Sequence, residues 1–410
     1  MLRRQSPRQL VPLRHSGFRF LFLSTLGSSF GTFLAAIALA IDVKDRTNSG
    51  LWVGAVLVVE FLPTIVIGLT LGPLLDRLER RSLMVAADLL RAAVFCGLPF
   101  TSSAGGIVGL ALVAGLATGF FRPAVYAGVP NLVPEDELAD ANALLQTVEN
   151  VSWAAGPLLG GLLTAEAGPH TAYWINAVSF LVSAALVARI PARLLQSATA
   201  LTRGHWTDLQ DGFRAVVGSR ALLAVLIGWG IASLGIGSIS VSEVFIAKNT
   251  FHAGDFGYGL IYGGVGLGLV LGSFSSSTVI ERLGTATAYG ASLAVMAIGF
   301  AAGAASPNVW IATACCVFGG IGDGTAIVCN ALLVQRGARD ELRGRALTLL
   351  MSATYAVNGV GSVIAGALMR PGGARWVWAG GAVSFALAAA AGYTLAREPQ
   401  RIAPLEPAPN

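Results

Sequence analysis

The chain has 410 residues, of which 54% are hydrophobic and only 12% charged, with a mean hydropathy of +0.69; a soluble domain carries about 25% charged residues. That balance excludes an ordinary water-soluble fold. The formal charge of +5 is dispersed over short connecting segments with no basic block, which excludes a nucleic-acid surface.

Uncharged stretches such as Leu21–Ile41, Ala221–Ser242, Phe256–Ile280, Ala346–Met369 and Trp376–Ala396 each reach the ~20 residues that cross a ~30 Å hydrocarbon core as helix. In chain order, helices are predicted at 18–41, 51–74, 82–101, 106–128, 142–165 and 171–190, and then at 221–246, 256–280, 285–304, 308–334, 345–369 and 375–396. The uncharged run Ala92–Phe121 is too long for one span and is divided at the turn Thr101–Gly106. The 51 glycines suit such helices, because small residues let backbones approach closely in lipid.

Three short matches recur in order at offsets of 200 to 205: Leu71-Gly72 with Leu271-Gly272, Asp136-Glu137-Leu138 with Asp340-Glu341-Leu342, and Ala177–Phe180 with Ala382–Phe385. Repetition at that period predicts two homologous halves. The expected class is therefore an all-α membrane protein, twelve transmembrane helices arranged as two pseudo-symmetric six-helix bundles. Its expected parts are an arm (1–17), a bundle (18–190), a linker (191–220), a second bundle (221–396) and a tail (397–410). The arm precedes a long helix without a small-residue cleavage site, so it reads as a retained start. An amphipathic stretch around Trp206–Val217 in the linker suits a helix on the membrane surface.

Arginine and lysine set orientation, since cytoplasmic loops carry their excess. With the amino terminus inside, 20 of the 27 lie in cytoplasmic segments and five outside, Lys44, Arg46, Lys248, Arg370 and Arg375, while Arg91 and Arg122 lie within helices. Both termini are thus expected in the cytoplasm, with the chain in the cell inner membrane.

Composition also speaks against catalysis and cofactors. The four histidines, His15, His170, His205 and His252, fall in loops or tails, and Cys96, Cys315, Cys316 and Cys329 lie inside predicted helices without CxxC spacing, so neither an enzyme, a metal centre nor any cofactor is expected. The glycine run Gly263–Gly272 lacks the GxxxxGK[ST] spacing of a nucleotide loop.

Ionisable side chains inside a bilayer are costly and mark function by default. Glu60, Glu149 and Asp323 fall near mid-helix, and Arg122 sits in the fourth predicted helix. An acid buried there either exchanges a proton, as an antiporter requires, or is held by a neighbouring Arg or Asn to fix packing; both readings stay open. Asp88 and Arg91 are three residues apart on one helix face and read as a structural pair. Glu243 lies close to the outer end of its helix, where the interface is within reach.

Gly72-Pro73-Leu74-Leu75-Asp76-Arg77-Leu78-Glu79-Arg80-Arg81 resembles the loop signature of the major facilitator superfamily, with Leu75 and Glu79 at positions where a small residue and a glycine are usual. The glycine permits a close helix approach, the aspartate can face a helix amino terminus, and the arginines anchor the loop. Gly156-Pro157-Leu158-Leu159-Gly160-Gly161 resembles the core of that superfamily's antiporter signature and suits a closely packing gate helix, although Val148 and Ser152 replace glycines of the full pattern. The stretches Phe120–Tyr126 and Asn131–Asn142 resemble the subgroup of enterobactin exporters and macrolide efflux proteins.

The resemblance implies helices 1, 4, 7 and 10 around a central cavity and helices 2, 5, 8 and 11 between the halves. It places Arg122 and Asp323 toward substrate and Glu149 and Glu60 at the gate. With Trp153, Asn330 and Glu243 added for their aromatic or polar side chains, Arg122 and Asp323 are the substrate-cavity candidates, and among the buried acids Glu149 is foremost for the proton, with Asp323 and Glu60 next. The function it implies is proton-coupled export of a hydrophobic or amphipathic small molecule by alternating access, the partners being that molecule, protons and the bilayer, with a monomer expected. The alternatives are a nutrient importer or facilitator of the same fold and, from another class, a membrane-embedded enzyme.

Overall fold

The computed structural model describes residues 8–70, 78–195, 205–338, 342–370 and 372–396. Twelve long helices follow one another there: α1 (Ser16–Thr47), α2 (Gly50–Thr70), α3 (Arg80–Gly97), α4 (Ala104–Gly128), α5 (Leu138–Ala167), α6 (Pro169–Ala188), α7 (Arg220–Thr250), α8 (Gly254–Leu283), α9 (Thr285–Ala305), α10 (Val309–Gly337), α11 (Arg343–Leu368) and α12 (Ala374–Ala396). Ten of them are long and apolar enough to cross a membrane, which makes this a multi-pass membrane protein. The other two are α2, with Glu60 in its apolar stretch, and α5, which carries Asp140, Glu149 and Glu166.

Packing separates the helices into two bundles with the same internal plan. In the first, α1 lies against α5 and α6, α3 against α6 and α4, and α2 against α4; in the second, α7 lies against α11 and α12, α9 against α12 and α10, and α8 against α10. The bundles meet mainly through α5 with α8 and α2 with α11, with smaller contacts of α7 on α1 and α2.

Local geometry carries the duplication further than the sequence matches do. Among the described residues the only non-glycine positions with positive φ are Asn48 (46°) and His252 (53°), which end α1 and α7. Gly168 (77°) and Gly372 (78°) occupy the α5–α6 and α11–α12 turns, where a left-handed backbone favours glycine. Ser103 and Asn308 cap α4 and α10 by accepting from the backbone N–H of Gly106 and Ile311, as short polar residues do at helix starts.

One aromatic cluster is built twice. Phe95 on α3 lies 6.2 Å from Tyr173 and 5.7 Å from Phe180 on α6; Phe300 on α9 lies 6.4 Å from Trp378 and 5.3 Å from Phe385 on α12. Each pair of positions is 205 residues apart, and such tilted rings are worth about 0.5–1.5 kcal/mol per contact beyond their burial.

Twelve helices return the chain to the face on which it started, so one face carries both termini. On the opposite face the bundles close on each other. A Cβ at Gly161 of α5 would lie 2.6 Å from Gly259 Cα of α8, one at Gly366 of α11 would lie 2.6 Å from the Gly50 carbonyl of α2, and one at Gly54 would lie 2.8 Å from the Ser362 carbonyl; only glycine permits these approaches. Lys248 adds a bridge there, 2.7 Å from Asp45 of α1 and also paired with Asp255 of its own bundle. Toward the terminal face Gln146 and Thr147 of α5 and Phe274 of α8 are exposed. The bundles are therefore shut against each other at the face away from the termini.

The linker contains a helix, His205–Gly218, that packs on α11. Val216 is buried while Phe213 and Val217 are exposed, the two-sided character its sequence predicts for a helix at the membrane surface.

Candidate functional site

Helix α7 is the irregular element of the second bundle. Its hydrogen bonding widens to π geometry at Val225–Trp229 and again at Ile246–Thr250; such widened turns often accompany functional sites. Between them α7 presents Ile236, Ile239, Ser240 and Glu243 to a small cavity. The rest of the lining is Tyr262 and Val265 of α8, Met296 and Phe300 of α9, Asp323 of α10, Phe385 of α12 and, from the other bundle, Trp153 of α5. Small-molecule sites are largely apolar with a few placed polar groups, which describes this lining.

The two acids in the wall are deeply buried, Glu243 to 3% exposure and Asp323 to 8%. Asp323 Oδ1 has no hydrogen-bond partner. Tyr262 stands within electrostatic reach of Glu243, Glu60 and Asp323 together, and its ring lies 5.6 Å from that of Trp153. Three acids from α2, α7 and α10 thus surround one tyrosine at the meeting of the bundles. Glu243 does not reach the interface, as its place near the helix end suggests: helices packed around α7 bury it, and it faces inward.

Glu149 lies four residues before Trp153 on the same face of α5, one turn nearer the terminal face. It accepts a hydrogen bond of 2.6 Å from Arg122 Nη2 of α4, with the Arg122 side chain 47% exposed and that of Glu149 17%. The two are opposite charges in one ion pair. Neither lines the cavity, and Asn330 of α10, whose Oδ1 is buried without a partner, is also outside its wall. The cavity is not shared evenly by helices 1, 4, 7 and 10 as the resemblance implied: it sits in the second bundle, because α7, α8, α9, α10 and α12 supply all of it except Trp153.

Of the signature loop, Gly72, Asp76 and Arg77 lie outside the described residues, as do Leu71, Asp340 and the tail 397–410. Arg80 is buried at the start of α3 and donates to the carbonyls of Ala127 and Leu195, 3.0 Å each, tying α3 to the ends of α4 and of the first bundle. Arg81 stands 3.8 Å from Glu79. On the gate helix, Gly156 and Gly160 pack against Phe33 and Leu34 of α1, while Gly161 faces α8; Pro157 lies inside the helix.

Asp88 and Arg91 do pair, at full burial. Ser183 of α6 donates to Asp88 at 2.6 Å and lies 2.7 Å from Ser24 of α1. The Arg91 guanidinium is held between the rings of Phe121 and Phe180, 4.3 and 4.2 Å from their centroids.

Sequence reasoning did not single out Tyr262, Ser240, Met296, Phe300 or Phe385. The repeat held a signal for two of them: Phe300 and Phe385 stand 205 residues after Phe95 and Phe180.

Comparison with known proteins accords with this architecture. A family model described as transmembrane secretion effector matches residues 8–407. The chain belongs to that family, within the major facilitator superfamily. Family relatives include the multidrug efflux pump Tap of Mycobacterium tuberculosis, 25% identical over 381 residues that cover 88% of this chain and 88% of the pump. Macrolide efflux protein A of Streptococcus pyogenes is 22% identical over 350 residues, 80% of this chain and 83% of that protein. In solved structures the same fold occurs in the nucleoside transporter NupG (TM-score 0.71, 14% identity, 94% of this chain and 100% of that one) and in a bacterial homologue of the iron transporter ferroportin (0.73, 16%, 94% and 99%). Membership makes this chain a transporter of small molecules and not an enzyme.

Proposed function

We propose that the chain is a proton-coupled exporter of hydrophobic or amphipathic small molecules, a drug, an antibiotic or a siderophore, acting in the cell inner membrane with both termini in the cytoplasm. The efflux activities named for its relatives support export, and the excess of arginine on the terminal face supports the orientation. With that orientation the bundles are shut toward the outside, as loading from the cytoplasm requires of an exporter. The observation that carries the reading is the aromatic cavity with its unpartnered acids.

Asp323 and Glu243 are the groups best placed to exchange protons, because an acid in this cavity is opened to alternate faces as the bundles rock. Glu149, the first choice from sequence, is already matched by Arg122 and serves as an ion pair that holds α4 to α5 within the first bundle. Arg80 and Arg81, with Gly72, Asp76 and Arg77, form the loop that switches state, and Gly156, Pro157, Gly160 and Gly161 the packing surface of the gate. One chain holds the whole site, so a monomer suffices.

Proteoliposomes test the coupling. An imposed proton gradient is expected to drive accumulation of a substrate drug, and Asp323→Asn to lose that accumulation while keeping downhill exchange. Accumulation by the Asn variant at the unmodified rate sinks the assignment.

A further inference from the structure

Trp52, Trp174, Trp310 and Trp376 are exposed. Each lies within the first two turns of its helix, α2, α6, α10 or α12, and all four of these helices begin at the face away from the termini. Phe100, at the end of α3, stands edge-on to Trp174 with ring centroids 6.2 Å apart. At the terminal face none of the described tryptophan side chains is exposed, and exposed arginines mark the level instead, Arg19, Arg189 and Arg193 among them.

Duplication does not account for this arrangement. The buried aromatic cluster repeats position for position at an offset of 205, whereas the same offset leads from Trp52 to Gly257, from Gly105 to Trp310, from Trp174 to Ala379 and from Thr171 to Trp376. Each bundle nevertheless has one exposed indole at each of two places. Helix α2 packs on α4, and α8 on α10. In the first pair the indole belongs to α2 and lies over Gly105 of α4, whose Cβ would be 3.7 Å from Trp52 Cη2; in the second it belongs to α10, and the glycine stands on α8, where a Cβ at Gly257 would be 3.5 Å from Val309 Cγ2. The two members of the pair have exchanged roles. On α6 and α12 the indole differs by three positions, which leaves it on one helix face. Level is kept where register is not, which points to a requirement set by the surroundings and not by the packing of the bundle. Further along the same helices the exposed side chains are apolar, Val178 and Leu181 on α6, Val383 and Leu387 on α12, so the indoles stand at the rim of a lipid-facing surface. An indole has an apolar body and one N–H donor, and such rings settle where acyl chains meet head groups.

We infer that Trp52, Trp174, Trp310 and Trp376 form a ring seated in the head-group boundary of the leaflet at the face away from the termini, where phospholipid is its partner and holds the starts of α2, α6, α10 and α12 at one depth. Two indoles anchor each bundle, at the face where the bundles are shut against each other. The inference depends neither on the direction of transport nor on the coupling ion, so its failure leaves the export reading untouched.

The test uses the full chain in phosphatidylcholine nanodiscs, with Trp206→Phe throughout so that the linker indole does not contribute. A fraction of the lipid carries a nitroxide on its acyl chain, either near the head group or near the chain end, and tryptophan fluorescence is read. The shallow nitroxide is expected to quench at least about twofold more than the deep one. Trp52→Gly is expected to lose about one quarter of the shallow quenching, one exposed indole of four. Trp52→Gly with Gly105→Trp, which gives the first bundle the arrangement of the second, is expected to regain it at an unchanged melting temperature. Quenching by the deep nitroxide as strong as by the shallow one overturns the inference, and that comparison needs no substitution within a spanning helix. A folded double variant quenched no more than Trp52→Gly alone also overturns it, because level would then not be what the exchange of roles preserves.

Discussion

The first bundle closes its aromatic cluster around its own arginine, whereas the second leaves the corresponding rings on the wall of a cavity. Phe95, Tyr173 and Phe180 keep nearly the spacing of Phe300, Trp378 and Phe385, so the scaffold is common to both. What differs is the filling. Arg91, Asp88 and Ser183 make a hydrogen-bonded polar network in one; Met296, Leu293 and Ala388 stand in the other. The difference teaches that duplicated helices provide the frame, and that a few substitutions at the α3 and α9 positions decide which copy is sealed and which can receive a ligand.

The largest expected effect comes from unbalancing the sealed copy. Asp88→Ala leaves Arg91 charged and buried, and removing one partner of such a pair costs about 3–5 kcal/mol; reversible unfolding in mixed detergent measures it. Replacing the network by what the second bundle uses, Asp88→Leu with Arg91→Met and Ser183→Ala, is expected to recover most of that loss, because apolar replacement of a whole buried pair is often neutral. A triple variant no more stable than Asp88→Ala alone breaks the proposed equivalence of the two clusters.

A smaller effect is expected where the bundles touch. Gly161→Val places methyl groups into the backbone of α8 at Gly259, an overpacking worth about 1–3 kcal/mol, which disfavours the closed face opposite the termini and lowers transport about 5- to 160-fold. Spin-label distances across that face are expected to lengthen; transport at the unmodified rate shows that the Gly161–Gly259 approach does not limit the cycle. The smallest effect belongs to the ion bridge at that face. Lys248→Met removes contacts to partly exposed Asp45 and Asp255, worth about 0.2–1 kcal/mol, so the same distances are expected to show at most about a fivefold rise in the population open at that face.

Much of the fold is legible in the residues. Span length and hydropathy place twelve helices, the offset of 200 to 205 announces two copies, and three-residue spacing alone pairs Asp88 with Arg91. The candidate site is legible in part. Asp323, Glu243 and Trp153 attract notice because buried charge and large aromatics are rare in lipid-spanning helices, and all three line the cavity. Arg122 and Glu149 attract equal notice for the same reason yet sit outside its wall, bonded to each other. Sequence distance gave no means to tell the two cases apart, since Arg122 and Glu149 are 27 residues apart on different helices.

By itself the sequence determined what depends on one helix at a time: which segments enter the membrane, how many there are and that the chain is written twice. Those follow from hydrophobicity and local pattern, which act within a few residues. Only the tertiary structure decided where left-handed turns fall, which acids find a partner, that Glu243 turns inward, that Met296 and Phe385 flank an opening while Arg91 fills its equivalent, and at which face the bundles are shut. Each of these depends on contacts between helices far apart in the chain, where a difference of one side chain in the packing changes whether a charge is matched or left for a ligand.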